Sequence, residues 1–308
     1  MPINITHLKA RRFEDVRQRF TVRDTVLYAL GVGMGMGAGT GPQDLAQLRY
    51  LLEPDLRAVP TLALVLGSPG FWMQSPDTGL DWKNILHLDQ ELTLHQTLPT
   101  SGEVVGKTTV EAVVDKRASG ALLYTRCELF DAATSALMAT SRSGNLCRRD
   151  GHFGGGDTVD WPVHKLPQSP PDHSCDLPST AQAALIYRLS GDHNPLHVDF
   201  RQAKEAGFDR PIFHGLGTFG MACHAALRVL CAYEPHRLKK MRARFVAPFY
   251  PGETLRTSFW VYGDGTAGQQ AFRPRSAKEA AEQRTEQDGR HHAPDHHQHR
   301  YGTKPGDL

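Results

Sequence analysis

The sequence predicts an α+β protein made of two copies of one helix-plus-sheet unit. Three observations lead there. "DTVLYALGVGMG" in the first half resembles "QAALIYRLSGDH" in the second, and about as far downstream "DLRAVPTLALVLG" resembles "DRPIFHGLGTFG". Each copy then runs into a stretch in which apolar and polar residues alternate, the period of a half-buried strand. Clusters of Gly, Pro and Asp separate these stretches, as turns between strands require.

The elements follow in chain order. "TVRDTVLYAL", residues 21–30, reads as a helix with Thr21 as N-cap, and "GVGMGMGAGTGP" ends it. From Ile85 to Cys147 the chain is β-rich: "LHLDQELTLHQTLP", "EVVGKTTVEAVVDKR" and "GALLYTRCELFDAATSALMATSRS" alternate, with Gly and Asp-Ala turns between them. Residues 151–178 are rich in Gly, Pro, Asp and His and read as a linker. "STAQAALIYRLSG" and the longer "HGLGTFGMACHAALRVLCAY" are expected helices. Gly215, Gly217 and Gly220 in the second permit close backbone approach. "MRARFVAPFYPGETLRTSFWVYG" returns to strands, turning at Pro251-Gly252. From Ala267 onward Val and Ile are absent and Leu is found only at the last residue, so 267–308 is expected to be a disordered tail. The predicted parts are 1–150, a linker at 151–178, 179–266 and the tail. The break near Gly265 further suggests that the tail is not the original end of the fold. An apolar sheet edge beside Phe259 and Val261 would then be left open.

Composition narrows the function. A net charge of +2 gives no broad attraction to nucleic acid or membrane. The cysteines, Cys127, Cys147, Cys175, Cys223 and Cys231, are odd in number and form no CxxC pair, which suits reduced thiols in a cytosol-like compartment. The first residues hold no apolar signal-peptide core, and "VPTLALVLGSPGFWM" is too short and too broken to span a bilayer. The chain ends Gly306-Asp307-Leu308, without a peroxisomal tripeptide, so a cytoplasmic protein is expected.

Chemistry concentrates in "YRLSGDHNPLHVDF", residues 187–200. Asp192 and His197 are types that hold one water between them and exchange protons with it. Asn194 brings amide donor and acceptor groups to orient that water or Asp192. Gly191 and Pro195 impose a non-helical loop. Gly215 opens the second helix, where its N–H lies at the positive end of the helix dipole. The first copy has Gly and Met where the second has Asp192, Asn194 and His197, so only the second copy carries this set.

Residues 187–219, with "YRLSGDHNPLHVD", "AKEAGF" and "PIFHGL", resemble the signature of the MaoC-like, or type 2, enoyl-CoA hydratases. "YALGVG", "ILHLDQELTLHQTLP", "VVDK" and "RARFVAPFYPGETL" extend the likeness to the two-domain hydratase 2 form over about residues 10–265. The resemblance implies two tandem hot-dog domains, each an antiparallel sheet wrapping a long central helix. It implies hydration of trans-2-enoyl-CoA to (3R)-3-hydroxyacyl-CoA in fatty acyl-CoA metabolism, without metal or other cofactor, by a homodimer. It makes Asp192, His197, Asn194 and Gly215 catalytic. His87, Lys116, Gly191, His193, Pro195, Leu196 and Phe245 would bind the acyl-CoA. Leu88 stands where the family usually has Gly, which bears on the His87 backbone. The first domain would shape the acyl-chain tunnel.

Other readings are weaker. Work on another acyl thioester, or acyl-CoA binding without catalysis, would use the same fold. A metal held by Asp192, His193, His197 and Asp199 has suitable ligand types but no recognised spacing. The tail histidines can chelate adventitiously. "GVGMGMG" fails GxGxxG, with Met36 and Ala38 at the third-glycine positions, and "LGSPG" lacks GxSxG. His236, Arg237, Lys239, Lys240, Arg242 and Arg244 read as a solvated charged face rather than a phosphate site.

Overall fold

The fold is taken from a computed structural model. It describes residues 3–36, 41–53, 55–159, 161 and 167–272. After a short helix α1 (Ile5–Ala10) and strand β1 (Val16–Phe20), helix α2 (Val22–Gly31) starts at Thr21. Thr21 and Asp24 form a capping box, each side chain meeting the other's backbone N–H. A five-residue helix α3 (Pro42–Ala46) and several 3-10 turns lead to four long strands: β2 (Ile85–Leu94), β3 (Gly102–Asp115), β4 (Ala121–Asp131) and β5 (Leu137–Cys147). The β-rich reading of 85–147 thus becomes four strands.

Two short helices, α4 (Ala183–Tyr187) and α5 (Phe200–Glu205), precede the long helix α6 (Gly215–Val229). Strand β6 (His173–Pro178) lies before them, and β7 (Lys240–Arg244), β8 (Thr254–Val261) and β9 (Ala267–Phe272) come after. Every strand pair is antiparallel. One sheet has the order β1-β3-β4-β5-β2-β7 and the other β6-β8-β9. β7, from the second half of the chain, completes the first sheet beside β2, with Asp89 opposite Arg244 and Thr93 opposite Lys240.

α6 is the only helix longer than ten residues among those described, and ten of its fifteen residues are buried. A Cβ on Gly220 would collide with Val32, so glycine there lets the end of α2 cross α6 at close range. Gly31 lies against the Tyr187 backbone in the same way. Through these approaches α2, α4 and α6 share one core with Tyr28, Tyr187, Phe213, Phe219 and Phe259.

Three expectations need correction. Among the described residues, the first half has no long helix. Its "VPTLALVLG" makes only a 3-10 turn, Pro60–Leu64. Gly67, at φ +61°, then turns the chain onto β3, where a Cβ would stand 2.8 Å from the Gly106 backbone. The tail does not become disordered at 267, because β9 forms there. "YGDGT" makes the hairpin: Tyr262 N–H donates to Thr266 O, and the Asp264 carboxylate accepts from Thr266 N–H and Oγ1–H. β9 pairs with β8 from Arg256↔Phe272 to Val261↔Ala267, so the β8 edge is covered and Phe259 is buried. The rest of the expected tail, 273–308, lies outside the described residues. Third, the stretch read as linker, 151–178, is not all loop. Gly156 bridges Val114, Asp157 Oδ2 accepts from Val113 N–H, Trp161 stacks on Tyr124, and β6 closes the stretch.

Candidate active site

The loop after α4 is built from turn chemistry. Gly191 closes a 3-10 turn, Arg188–Ser190, at φ +117°, a conformation side-chain-bearing residues rarely adopt. Asp192 Oδ1 then accepts from Asn194 N–H at 3.1 Å, and Asn194 Oδ1 accepts from Leu196 N–H at 3.0 Å. Asn194 thereby caps a second 3-10 turn, Pro195–His197, in which Pro195 fills the first position. These turns set Asp192 half-buried and His197 buried, while Gly191, His193 and Pro195 stay exposed and Leu196 is partly buried. Asp199 is occupied in capping α5, where it accepts from Arg201 and Gln202 N–H.

A second segment, Ile212–Gly215, meets this loop. His197 Nδ1–H donates to Ile212 O at 2.9 Å, which leaves Nε2 with its lone pair. His214 Nε2–H donates to the backbone O of Asp192 at 3.2 Å. The two imidazoles stack, with centroids 3.8 Å apart and planes inclined by 30°. Tyr187 also packs against the His214 ring, with centroids 4.9 Å apart. Ligand-type atoms of Asp192, His197 and His214 all lie within 4.8 Å of one another. One water at about 2.8 Å from each partner can bridge two such groups.

Burial holds His197 below its ordinary pKa, although the Asp192 charge and the Ile212 carbonyl pull the other way. His214 is pushed down to about 3, chiefly by burial and then by His197. Both rings are therefore neutral near pH 7.

His87 reaches the site from β2. The strand slips register between His87 and Asp89, a bulge that re-aims the ring. His87 Nε2–H donates to Asp89 O at 3.0 Å, and the ring meets Phe245 edge-on at 4.9 Å. Leu88, the residue at the bulge, accepts from Phe245 N–H at 2.8 Å. Its backbone is not left-handed, so leucine fits where glycine was the expected type. Burial lowers the His87 pKa, and the Asp192 carboxylate is among the charges raising it. A Cβ on Gly215 would stand 3.5 Å from His87 Nδ1 and 3.6 Å from the Phe245 ring. His87, Phe245, Gly215 and Asp192 therefore converge.

The first intrahelical bond of α6 runs from Thr218 N–H to His214 O, so the helical ladder makes no use of the Gly215 amide. That amide can donate to an oxyanion at the positive end of a fifteen-residue helix. Lys116 stands apart. It is exposed at the β3–β4 turn, three strands across the sheet from β2 and just beyond the row that joins Asp115, Ala121, Cys147 and Ile85. Much of the basic face is paired: Lys240 with Glu91, His236 with Glu234, and Arg244 in a fork on the fully buried Asp89.

Sequence reasoning missed His214 and Tyr187. His214 had one signal, its place directly before Gly215 in "PIFHGL". As a metal centre the trio fits poorly. Histidine binds a metal through an in-plane lone pair at about 2.0–2.1 Å, and two rings stacked at 3.8 Å and 30° cannot both aim at one ion. The set weighed from sequence does not gather either, with His193 exposed and Asp199 capping a helix.

Residues 162–283 match the MaoC like domain, and residues 18–149 match the MFE-2 hydratase 2 N-terminal domain. The first match begins inside the expected linker and runs past the expected start of the tail. "Enoyl-CoA hydratase 2, peroxisomal" of Arabidopsis thaliana is 31% identical over 83% of this chain and 86% of its own length. "3-hydroxyacyl-thioester dehydratase Y" of Mycobacterium tuberculosis is 36% identical over 80% of this chain and 84% of its own. "Peroxisomal multifunctional enzyme type 2" of Drosophila melanogaster is 34% identical over 79% of this chain, which spans only 42% of that longer protein. Among solved structures, a MaoC-like dehydratase from Phytophthora capsici superposes with a TM-score of 0.76 at 27% identity, covering 88% of this chain and 92% of that one. The Mycobacterium tuberculosis protein Rv0216, described as a double hotdog fold, superposes at 0.51 with 18% identity over 87% and 92% of the two chains, a likeness of fold alone. With two full-length relatives above 30% identity and both halves of the chain matched, this chain belongs to the MaoC-like hydratase family, in the form that carries a hydratase 2 N-terminal domain.

Proposed function

We propose that the protein adds water to trans-2-enoyl-CoA and forms (3R)-3-hydroxyacyl-CoA. The observation that carries this reading is the free Nε2 of neutral His197 beside the Asp192 carboxylate, with the Gly215 amide on the adjoining helix end. The thioester oxygen accepts from Gly215 N–H, which draws electron density from C3. Asp192 and His197 hold a water over C3. As its oxygen bonds to C3, one proton passes to His197 Nε2 and charge collects on the thioester oxygen. The pair then returns a proton to C2, so one water enters and no net proton is consumed. Run backwards, the same steps dehydrate the hydroxyacyl thioester. A donor aimed at such an oxyanion is worth roughly 3–4 kcal/mol.

The 3R outcome rests on the family relationship, and the placement of both proton-handling groups on one loop supports addition of water and proton to one face. The reading includes a double hot-dog organisation, with 1–150 as a non-catalytic domain that borders the acyl chain and 179–266 as the catalytic one. The shared core of α2, α4 and α6 and the pseudo-repeated Tyr28 and Tyr187 support it, since these tyrosines face each other at 5.8 Å. It also includes a cytoplasmic homodimer. All five cysteines are free, Leu30 and Leu185 are exposed on the packed helices α2 and α4, and Leu189 is exposed on the turn that follows α4. Light scattering tests the dimer. Loss of enone absorbance from crotonyl-CoA and longer trans-2-enoyl-CoAs, followed by chiral analysis, tests the reaction. Mainly 3S product, or none, would refute it.

A further inference from the structure

His197 and His214 form a reciprocal clasp. Each extends from one of the two segments that build the site and donates to a backbone carbonyl of the other: His197 to Ile212, His214 to Asp192. Their rings stack face to face between those two bonds. His214 is 1% exposed and packs against both His197 and Tyr187, with Phe213 edge-on at 5.9 Å. Its backbone also caps α6, accepting from Thr218 N–H and Oγ1–H, and its next residue is Gly215.

We propose that His214 is the positioning residue of this site: its N–H fixes the Asp192 backbone, its ring face fixes the rotamer of His197, and its place in the chain sets the Gly215 amide against both. It touches no reacting atom. The inference rests on the hydratase reading and adds to it a residue that works through the other three.

The geometry assigns opposite tautomers. His197 carries its proton on Nδ1, facing Ile212 O. His214 carries its proton on Nε2, facing Asp192 O, and its buried Nδ1 has no hydrogen-bond partner. A second proton on His214 would be an unpaired buried charge beside His197, with the Arg188 cation also nearby. Asp192 is the group that favours it, and Tyr187 contributes only its ring face. The ring therefore stays neutral over the working range, and of the stacked pair only His197 titrates there.

The test uses two variants of the full chain and crotonyl-CoA as substrate. His214→Phe keeps a ring on His197 and loses the donor to Asp192. His214→Gln keeps an amide donor and loses the ring. The expected result for the Phe variant is a kcat about tenfold lower, the size of one lost hydrogen bond, with KM within threefold and the acid limb of kcat/KM unmoved. In the Gln variant kcat also falls, and the acid limb moves up as water reaches the His197 face. A Phe variant with kcat within twofold of wild type overturns the proposal. Imidazole nitrogen NMR of the wild-type protein needs neither activity nor a variant. It should show His214 as the neutral Nε2–H form down to pH 5. An Nδ1–H form, or titration near 6.5, overturns the proposal. A wild-type protein inactive on every enoyl-CoA would refute the hydratase reading instead, and these spectra would still decide the clasp.

Discussion

His224, in the middle of α6, should make the fold acid-labile. It is 1% exposed. Nδ1–H donates to Val32 O at 3.4 Å, so Nε2 must be the acceptor for the Tyr233 hydroxyl at 3.2 Å. Both nitrogens are thus used by the neutral ring, and protonation would leave the tyrosine facing a donor. Burial, with Arg228 adding a like charge, pushes the pKa down to about 4 from an ordinary 6.5, against the pull of the Val32 carbonyl. The sign follows from proton binding. The unfolded chain takes up this proton near 6.5 and the folded chain only near 4. Stability from this residue is therefore complete above 6.5, falls as pH drops from 6.5 to 4, and levels off below. At about 1.4 kcal/mol per pH unit, the loss by pH 4 is roughly 3 kcal/mol. The assay is urea unfolding at several pH values between 7 and 4, for wild type and for His224→Gln, whose amide can donate and accept but cannot titrate. The variant should lose roughly 3 kcal/mol less than wild type over that interval. Parallel stability curves for the two proteins would refute the reasoning.

Other predictions follow from the site and its supports. Asp192→Asn and His197→Ala should each cut turnover by about 100-fold or more, and the double variant should be little worse than the worse single one, as a unit predicts; steady-state rates on crotonyl-CoA decide this. Gly215→Ala should bind substrate almost normally, because its Cβ meets His87 and Phe245 at ordinary contact distances. Gly215→Arg should lose acyl-CoA binding in calorimetry, since a longer side chain must displace both. Asp89→Ala should cost about 3 kcal/mol, the low end for a broken buried pair, because Arg244 stays one-third exposed while Tyr124 also loses its acceptor; thermal unfolding measures it.

What could be read beforehand was local. Thr21 followed by Asp24 signals a capped helix wherever it occurs, and "GDHNPLH" contains its own turns: glycine for the left-handed residue, Asn194 as cap, Pro195 to open the next turn. That chemistry acts within a few residues and places Asp192 near His197 without help from the rest of the chain. The role of His214 depends on a ring seventeen positions away, which no local pattern encodes. The repeat is also incomplete in structure. "VPTLALVLG" shares apolar character with the start of α6 but stops after a 3-10 turn, and Gly67 then approaches the Gly106 backbone where the chain must turn. β9 was hidden for another reason. "AGQQAF" has poor strand composition, yet backbone pairing with β8 and the Asp264 hairpin are enough to form it. The Leu88 substitution looked like an obstacle at His87. A bulge in β2 absorbs it, and bulges have no reliable sequence sign.

The most direct test of the central claim is the product of wild-type protein and His197→Ala acting on crotonyl-CoA. Enone absorbance is followed and the hydroxyacyl product is resolved by chiral chromatography. The account predicts rapid loss of absorbance with 3R product for the wild type, and almost none for the variant at equal folded concentration. Unchanged absorbance with wild-type protein, a mainly 3S product, or equal rates for the two proteins would contradict it.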